Sequence, residues 1–222
     1  MNKIIKEYIS LVDFFSNIVG NNTEIALHDV TDVEHSLVAI SNGHISGREV
    51  GAPLNGAALL YIKNRVYETH DQLIDYRGET KNHRPLTCYT KFIKDDGELV
   101  GMLCVNIDRG AEKEAIEHLM KVFNIKMDEN EPVEQADNGN FKERFSGNYK
   151  ETIQELFEKV MRHYDAPVTR LTPSEKEEIV EVLNDNGAFL FKGGVAVVAE
   201  LLSISEASVY RYLQKANGKG EK

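Results

Sequence analysis

Two β-prone segments rich in apolar residues, residues 86–94 (LTCYTKFIK) and 99–107 (LVGMLCVNI), flank an Asp96-Gly97 pair. Asp-Gly tolerates the positive φ that a tight hairpin turn demands, so this pattern predicts two long antiparallel strands. In the second segment Leu99, Leu103, Val105 and Ile107 lie partly on the opposite face from Met102 and Cys104. Since nearly all of these are apolar, both faces of the strand are expected to be covered. The hairpin commits the first half of the chain to a sheet within a packed domain.

Other segments of that half fit around it. Residues 24–30 (EIALHDV) and 36–41 (SLVAIS) are short and β-prone, and the second runs into an Asn42-Gly43 turn, so they read as a strand pair. Between residues 56 and 75, Ala57, Leu60, Tyr61, Asn64, Val66 and Leu73 allow a helix. A helix over residues 112–123, with Ala115, Ile116, Leu119, Met120 and Phe123 at helical spacing, closes the domain. Strands, helices and a long hairpin in this order suggest an antiparallel sheet with helices on one side.

Residues 128–150 (DENEPVEQADNGNFKERFSGNYK) are polar, acidic at the start and without a sustained apolar period. This stretch reads as a linker between residues 1–127 and an all-α region at 151–222. The alternative is a long surface loop within one domain, a rarer arrangement beyond about 15 structureless residues. With 222 residues and 41% hydrophobic content the chain can fill two modest cores, giving an α+β protein.

Composition narrows the function classes. No run approaches the roughly 18 to 20 apolar residues of a membrane span, and Lys6, Glu7 and Asp13 interrupt the N-terminal apolar residues, so a soluble cytoplasmic protein is expected. Cys88 and Cys104 stand in apolar strand segments with no metal-ligand spacing around them, which predicts reduced, packed thiols and neither a metal nor a cofactor. A net charge of −10 argues against a protein that coats nucleic acid indiscriminately. Any contact with DNA must come from a local surface.

Such a surface is encoded at the C-terminus. Residues 151–164 form an amphipathic helix with Ile153, Leu156, Phe157, Val160 and Met161 on one stripe, which either pairs across a dimer or packs on its own domain. Thr172-Pro173-Ser174-Glu175 has the composition of a helix start: a capping hydroxyl, a proline at the first helical position and a glutamate to return the bond. That helix runs through Leu183 and ends at Asn186-Gly187, and Gly193-Gly194 introduces another over residues 195–202. The next segment, residues 199–213 (AELLSISEASVYRYL), reads as two helices meeting at a Ser203-Ile204 turn. Small Ala199 permits a close crossing, Ile204 plugs the angle, Ser205 caps the second helix, and Val209, Tyr212 and Leu213 bury its inner face.

At 100° per residue the opposite face presents Ala207, Tyr210, Arg211 and Gln214, with Glu206 at its edge. Arg211 offers two donors to guanine O6 and N7, and Gln214 and Tyr210 hydrogen-bond bases or phosphates. Ser205, Ser208 and Lys215 complete the candidate duplex-DNA contacts. From residue 192 onward five basic residues stand against three acidic ones, a thin patch that points to two modules acting together on a symmetric site, and so to a homodimer. The alternative is a structural αα unit that touches no DNA.

The chain as a whole resembles the YheO-like transcriptional regulators, whose relatives include a repressor of D-arginine utilisation. The marks are His28-Asp29 in ALHDV, residues 40–48 (ISNGHISGR), residues 101–106 (GMLCVN), residues 187–194 (GAFLFKGG) and residues 205–213 (SEASVYRYL). Gly194 stands where the family pattern leads one to expect alanine. The resemblance implies a PAS-like N-terminal sensor domain, with a curved antiparallel sheet and flanking helices, joined to a helix-turn-helix. Such a domain encloses a small ligand or mediates dimerisation.

Polar residues set among apolar strands nominate His28, Asp29, Asn42, His44, Arg48 and Asn106 as the ligand site, since small-molecule pockets are mostly apolar with a few convergent polar groups. Each has a plainer reading: His28-Asp29 fixing a strand end, Asn42-Gly43 forming a turn, Arg48 at the surface. Two rival functions remain at this level. One is an enzyme using His28, Asp29 and His44 beside a cysteine, although no nucleophile elbow, phosphate loop or metal spacing accompanies them. The other is a redox or partner-binding sensor in which Cys88 and Cys104 form a regulatory disulfide.

Overall fold

The computed structural model describes residues 2–54, 56–80, 82–125, 148–164 and 166–219. Five strands, β1 (Thr23–Asp29), β2 (Leu37–Ser41), β3 (Gln72–Glu79), β4 (Pro85–Asp95) and β5 (Glu98–Asp108), form one antiparallel sheet in the order β2-β1-β5-β4-β3. The β4-β5 hairpin turns at Asp96 and Gly97, both at positive φ, and β1 pairs with β2 as their patterning requires. β1 also pairs with β5, in a register that sets Glu24 opposite Asn106 and His28 opposite Met102.

Period-two alternation divides the sheet into two covered faces. α1 (Lys3–Ser16) lies on one face, where Ile5 and Val12 join Ile25, Leu27, Ile93 and Val100. Asn2 caps α1 by accepting from the Ile4 N–H at 2.8 Å and ties it to the hairpin by donating to Asp95 at 2.8 Å. α1 approaches β5 so closely that a Cβ on Gly101 would fall 2.3 Å from the Ile5 side chain. On the other face, Ala26, Met102, Cys104, Cys88 and Phe92 meet α2 (Gly56–Lys63), whose Tyr61 ring contacts Tyr76 and Phe92 edge-on at 6.0 Å. Helices therefore cover both sides of the sheet, not one, because β5 is apolar on both of its faces.

The helical segment expected across residues 56–75 divides. α2 stops at Lys63, where Arg65 takes a left-handed φ of 52°, and Leu73 belongs instead to β3. α3 (Gly110–Phe123) follows β5. The expected linker lies outside the described residues as far as 147, and Tyr149 and Lys150 already belong to α4 (Tyr149–Met161).

α4, α5 (Pro173–Asp185), α6 (Gly194–Leu201) and α7 (Glu206–Lys219) form the C-terminal helical unit. α5 opens with the capping box Thr172/Glu175 and closes at Asn186-Gly187, with Gly187 at φ 81°. The stripe of α4 is turned inward: Ile153, Phe157 and Val160 are buried and share a core with Ile179, Leu183, Ala188, Val198, Leu202 and Val209. That core is continuous with the α2 side of the sheet, and Lys63 donates to Asn184 at 3.3 Å.

Candidate functional sites

The candidate DNA-contact surface is built from its turn outward. α6 ends at Leu201 with Leu202 as its C-cap, Ser203 takes φ 52°, and the Ile204 N–H returns to the Ala199 carbonyl at 3.0 Å. Ser205 accepts from the Ser208 N–H at 3.2 Å, satisfying an otherwise orphaned amide at the start of α7. Val209 and Tyr212 are buried against α5 and α6. Their burial turns Glu206, Ala207, Tyr210, Arg211, Gln214 and Lys215 outward, and all six are exposed.

Of that set, Arg211 has its guanidinium carbon 5.3 Å from the Tyr212 ring centroid, a cation–π contact that steadies the base of the side chain's reach. Lys215 pairs with Glu177 of α5 at 2.7 Å, so it is partly neutralised at the rim. Ser205 and Ser208 hydrogen-bond each other at 3.0 Å and belong to the cap as much as to the surface.

Gly194, at the start of α6, has no room for a side chain: a Cβ there would sit 2.3 Å from the Ala188 carbonyl oxygen. In this chain the departure from alanine is a packing requirement.

The ligand candidates separate into two groups. His28, Arg48 and Asn106 converge in a buried network between β1, β5 and the loop after β2. Arg48 Nη2 donates to Glu24 Oε1 at 2.7 Å, Asn106 Nδ2 donates to the same oxygen at 2.9 Å, and Arg48 Nε donates to Ser46 Oγ at 3.0 Å. Ser46 Oγ also donates to Glu24 Oε2. Arg48 Nη1 lies 3.4 Å from His28 Nε2, and His28 Nδ1 lies 2.9 Å from Ser36 Oγ. A guanidinium only donates, so Nε2 accepts and the ring proton rests on Nδ1, facing Ser36. Burial, reinforced by the Arg48 charge, holds the His28 pKa well below its ordinary 6.5, which keeps the ring neutral.

Asp29, Asn42 and His44 stand apart and hold the chain locally. Asp29 accepts from the Thr31 N–H at 3.0 Å and hydroxyl at 2.6 Å, and Asn42 donates to the Gly20 and Thr23 carbonyls at 3.0 and 2.8 Å. His44 is exposed, with Nε2 3.1 Å from the Asn21 carbonyl.

Sequence reasoning missed Glu24, Ser36 and Ser46. The signal for Glu24 was present in the period of β1, which puts Glu24, Ala26 and His28 on one face. A fully buried carboxylate needs a cationic partner, and Arg48 supplies it. Asn106 Oδ1 is also buried, and it has no hydrogen-bond donor among the described residues. Cys88 and Cys104 are buried thiols on neighbouring strands, but the register sets Cys88 opposite Asn106 and Cys104 opposite Thr90. A cavity of about 370 Å³ lies elsewhere, between α4 and α5, with Val160, Tyr164, Glu178 and Val182 in its wall. There, burial followed by the Glu178 carboxylate pushes the Tyr164 phenol up.

Comparison with known proteins matches residues 1–124 to the YheO-like PAS domain family and residues 152–214 to a helix-turn-helix domain family. The fold and these matches define a class, the helix-turn-helix transcriptional regulators with a PAS-type N-terminal domain. Within that class the chain belongs to the YheO-like PAS family. An uncharacterised protein of Haemophilus influenzae is 27% identical over 96% of this chain and 90% of its own length. YheO of Escherichia coli is 25% identical over 96% and 84%, and the transcriptional regulator DauR of Pseudomonas aeruginosa is 21% identical over 98% and 96%. A solved Rhodobacter sphaeroides LOV protein aligns over 96% of this chain and 99% of its own at 10% identity, but with a TM-score of 0.31 it adds nothing to the fold assignment. None of the described helices is long and apolar enough to cross a membrane.

Proposed function

We propose that this chain is a cytoplasmic, sequence-specific transcriptional regulator that binds its operator as a homodimer. α7 is the recognition helix, and a small polar ligand at the β1 network modulates operator affinity. The observation that carries this reading is the outer face of α7: an exposed Arg211, Tyr210 and Gln214 on a helix held rigidly by buried Val209 and Tyr212. In this role Ser205 and Ser208 fix the helix N-terminus, which faces a phosphate, while Glu206, Ala207 and Lys215 border the base-reading residues. The relative DauR, named a transcriptional regulator, supports the same reading. Catalysis has no part in it.

Selection of genomic fragments by the purified protein tests it. The expected result is enrichment of an inverted repeat, with half-sites about one helical turn apart or a multiple of that. Fragments recovered without a shared sequence would make α7 a structural helix.

Ligand modulation rests on the convergence of Glu24, His28, Arg48 and Asn106, and on the buried Asn106 Oδ1 as an acceptor for a ligand donor. The ligand must favour one arrangement of the DNA-binding units, and couplings of this kind are typically about 1–3 kcal/mol. A compound that raises the unfolding midpoint of the wild type should change its operator affinity several-fold and do neither in Asn106→Ala. An effector that acts undiminished on Asn106→Ala would move the ligand site away from this network.

A further inference from the structure

The apolar stripe of α3 lies in solvent. Ile116, Leu119, Val122 and Phe123, together with Ile125 just beyond the helix, are 50–68% exposed, and no described element packs over them. A second apolar set stands at the same end of the sheet, on the last turn of α1 and just beyond it, where Phe14, Phe15 and Ile18 are 40–62% exposed. The two are linked structurally: the Asp108 N–H, two residues before α3, donates to the Asn22 carbonyl at 2.7 Å in the segment that leads out of α1.

We infer that α3 and the end of α1 together form the homodimer interface, with α3 of one copy running antiparallel to α3 of the second. This deepens the dimeric reading proposed above and rests on it. Two observations select a second copy as the occupant. The first is extent: with Leu11 these are nine large apolar residues, each 40–68% exposed. Typical monomers expose patches of about 300–600 Å², whereas a stable interface uses about 800 Å² per partner. The α3 stripe alone, on a helix of fourteen residues, would fall short of that.

The second is charge. The first half of α3 carries Glu112 and Glu114 against Lys113, and the second half carries Glu117 against Lys121. Parallel pairing would set like charges of the two copies side by side and align the two helix dipoles, whereas antiparallel pairing about Leu119 sets Lys121 of each copy level with Glu117 of the other and opposes the dipoles. It also carries Phe123 and Ile125 of each copy toward the α1 end of the other, where Phe14, Phe15 and Ile18 await cover. A two-fold axis near Leu119 satisfies both, and a self-complementary patch of this kind closes as a dimer.

Sedimentation of the full-length chain tests this, comparing wild type with Leu119→Glu and Phe123→Glu. All three should give the same circular dichroism spectrum, since both positions are exposed. The wild type should sediment as a dimer, and each variant should raise the dimer dissociation constant at least tenfold. Leu119→Cys, near the axis, should cross-link copies under mild oxidant, while the buried native thiols do not. A wild-type dimer that both glutamates leave intact would overturn the inference while sparing the dimeric reading. A wild-type chain that is monomeric at concentrations where it binds its operator would overturn both. A dimer broken by the glutamates but never cross-linked through Leu119→Cys would overturn the antiparallel register.

Discussion

α3 and α7 are each fourteen residues long, each closes its part of the chain, and each carries an apolar stripe at helical spacing. Their surroundings are opposite. In α7, Val209 is fully buried and Tyr212 nearly so, and the polar face is left free for a partner; in α3 the apolar face itself is free. Amphipathic period shows that a helix has something to cover and says nothing about what covers it. The cover of α7 comes from neighbours in sequence, α5 and α6, brought up by a capped start and a tight turn. α3 follows a strand whose two faces α1 and α2 already share, which leaves it no place on the sheet.

Substitutions separate the two helices by their consequences. Val209→Glu puts an unpaired charge into the C-terminal core and should lower unfolding free energy by about 3–5 kcal/mol in a urea titration. Leu119→Glu, measured on the dissociated chain at nanomolar concentration, should stay within about 0.5 kcal/mol of wild type. Equal losses would show that α3 is covered by its own chain, and the contrast would fail. Next in size is Gly194→Ala. It drives a methyl into the Ala188 carbonyl and should cost about 1–3 kcal/mol, against a small gain if the helix start were open. Thr172→Ala removes one side of the α5 capping box and should cost about 1 kcal/mol.

The smallest expected effect belongs to the β1 network. Folding holds the His28 pKa well below 6.5, so below that pH the unfolded chain takes up a proton that the folded chain refuses. The unfolded state then binds more protons, and stability falls as pH drops below about 6.5. His28→Gln should flatten the stability profile between pH 7.5 and 5, above the range in which ordinary carboxylates titrate. An unchanged slope would mean that His28 is protonated in the fold.

What could be read from the sequence follows the range of the forces involved. The β4-β5 hairpin and the α6-α7 turn rest on residues adjacent in the chain, Asp96-Gly97 and residues 199–205, and both form where their patterns put them. α1 and β3 were not assigned as elements. β3 contains a bulge between Leu73 and Tyr76, with Asp75 at φ 53°, and the extra residue breaks the period of two. The Glu24–Arg48 pair joins residues far apart in sequence, through a loop whose path no local pattern specifies. Arg48 as readily suited the surface. Asp29 and Asn42, polar residues beside strands, hydrogen-bond the backbone nearby, the commoner use of such residues.

Whether the outer face of α7 reads base sequence is decided by fluorescence anisotropy with a labelled operator duplex. Wild type and Arg211→Ala would be titrated against the operator and a scrambled duplex at two salt concentrations. Tight, sequence-dependent binding by the wild type is expected. Arg211→Ala should lose about 1–3 kcal/mol, roughly fivefold to 150-fold, on the operator alone. Equal affinity of wild type and Arg211→Ala for both duplexes, varying only with salt, would contradict base reading by that face.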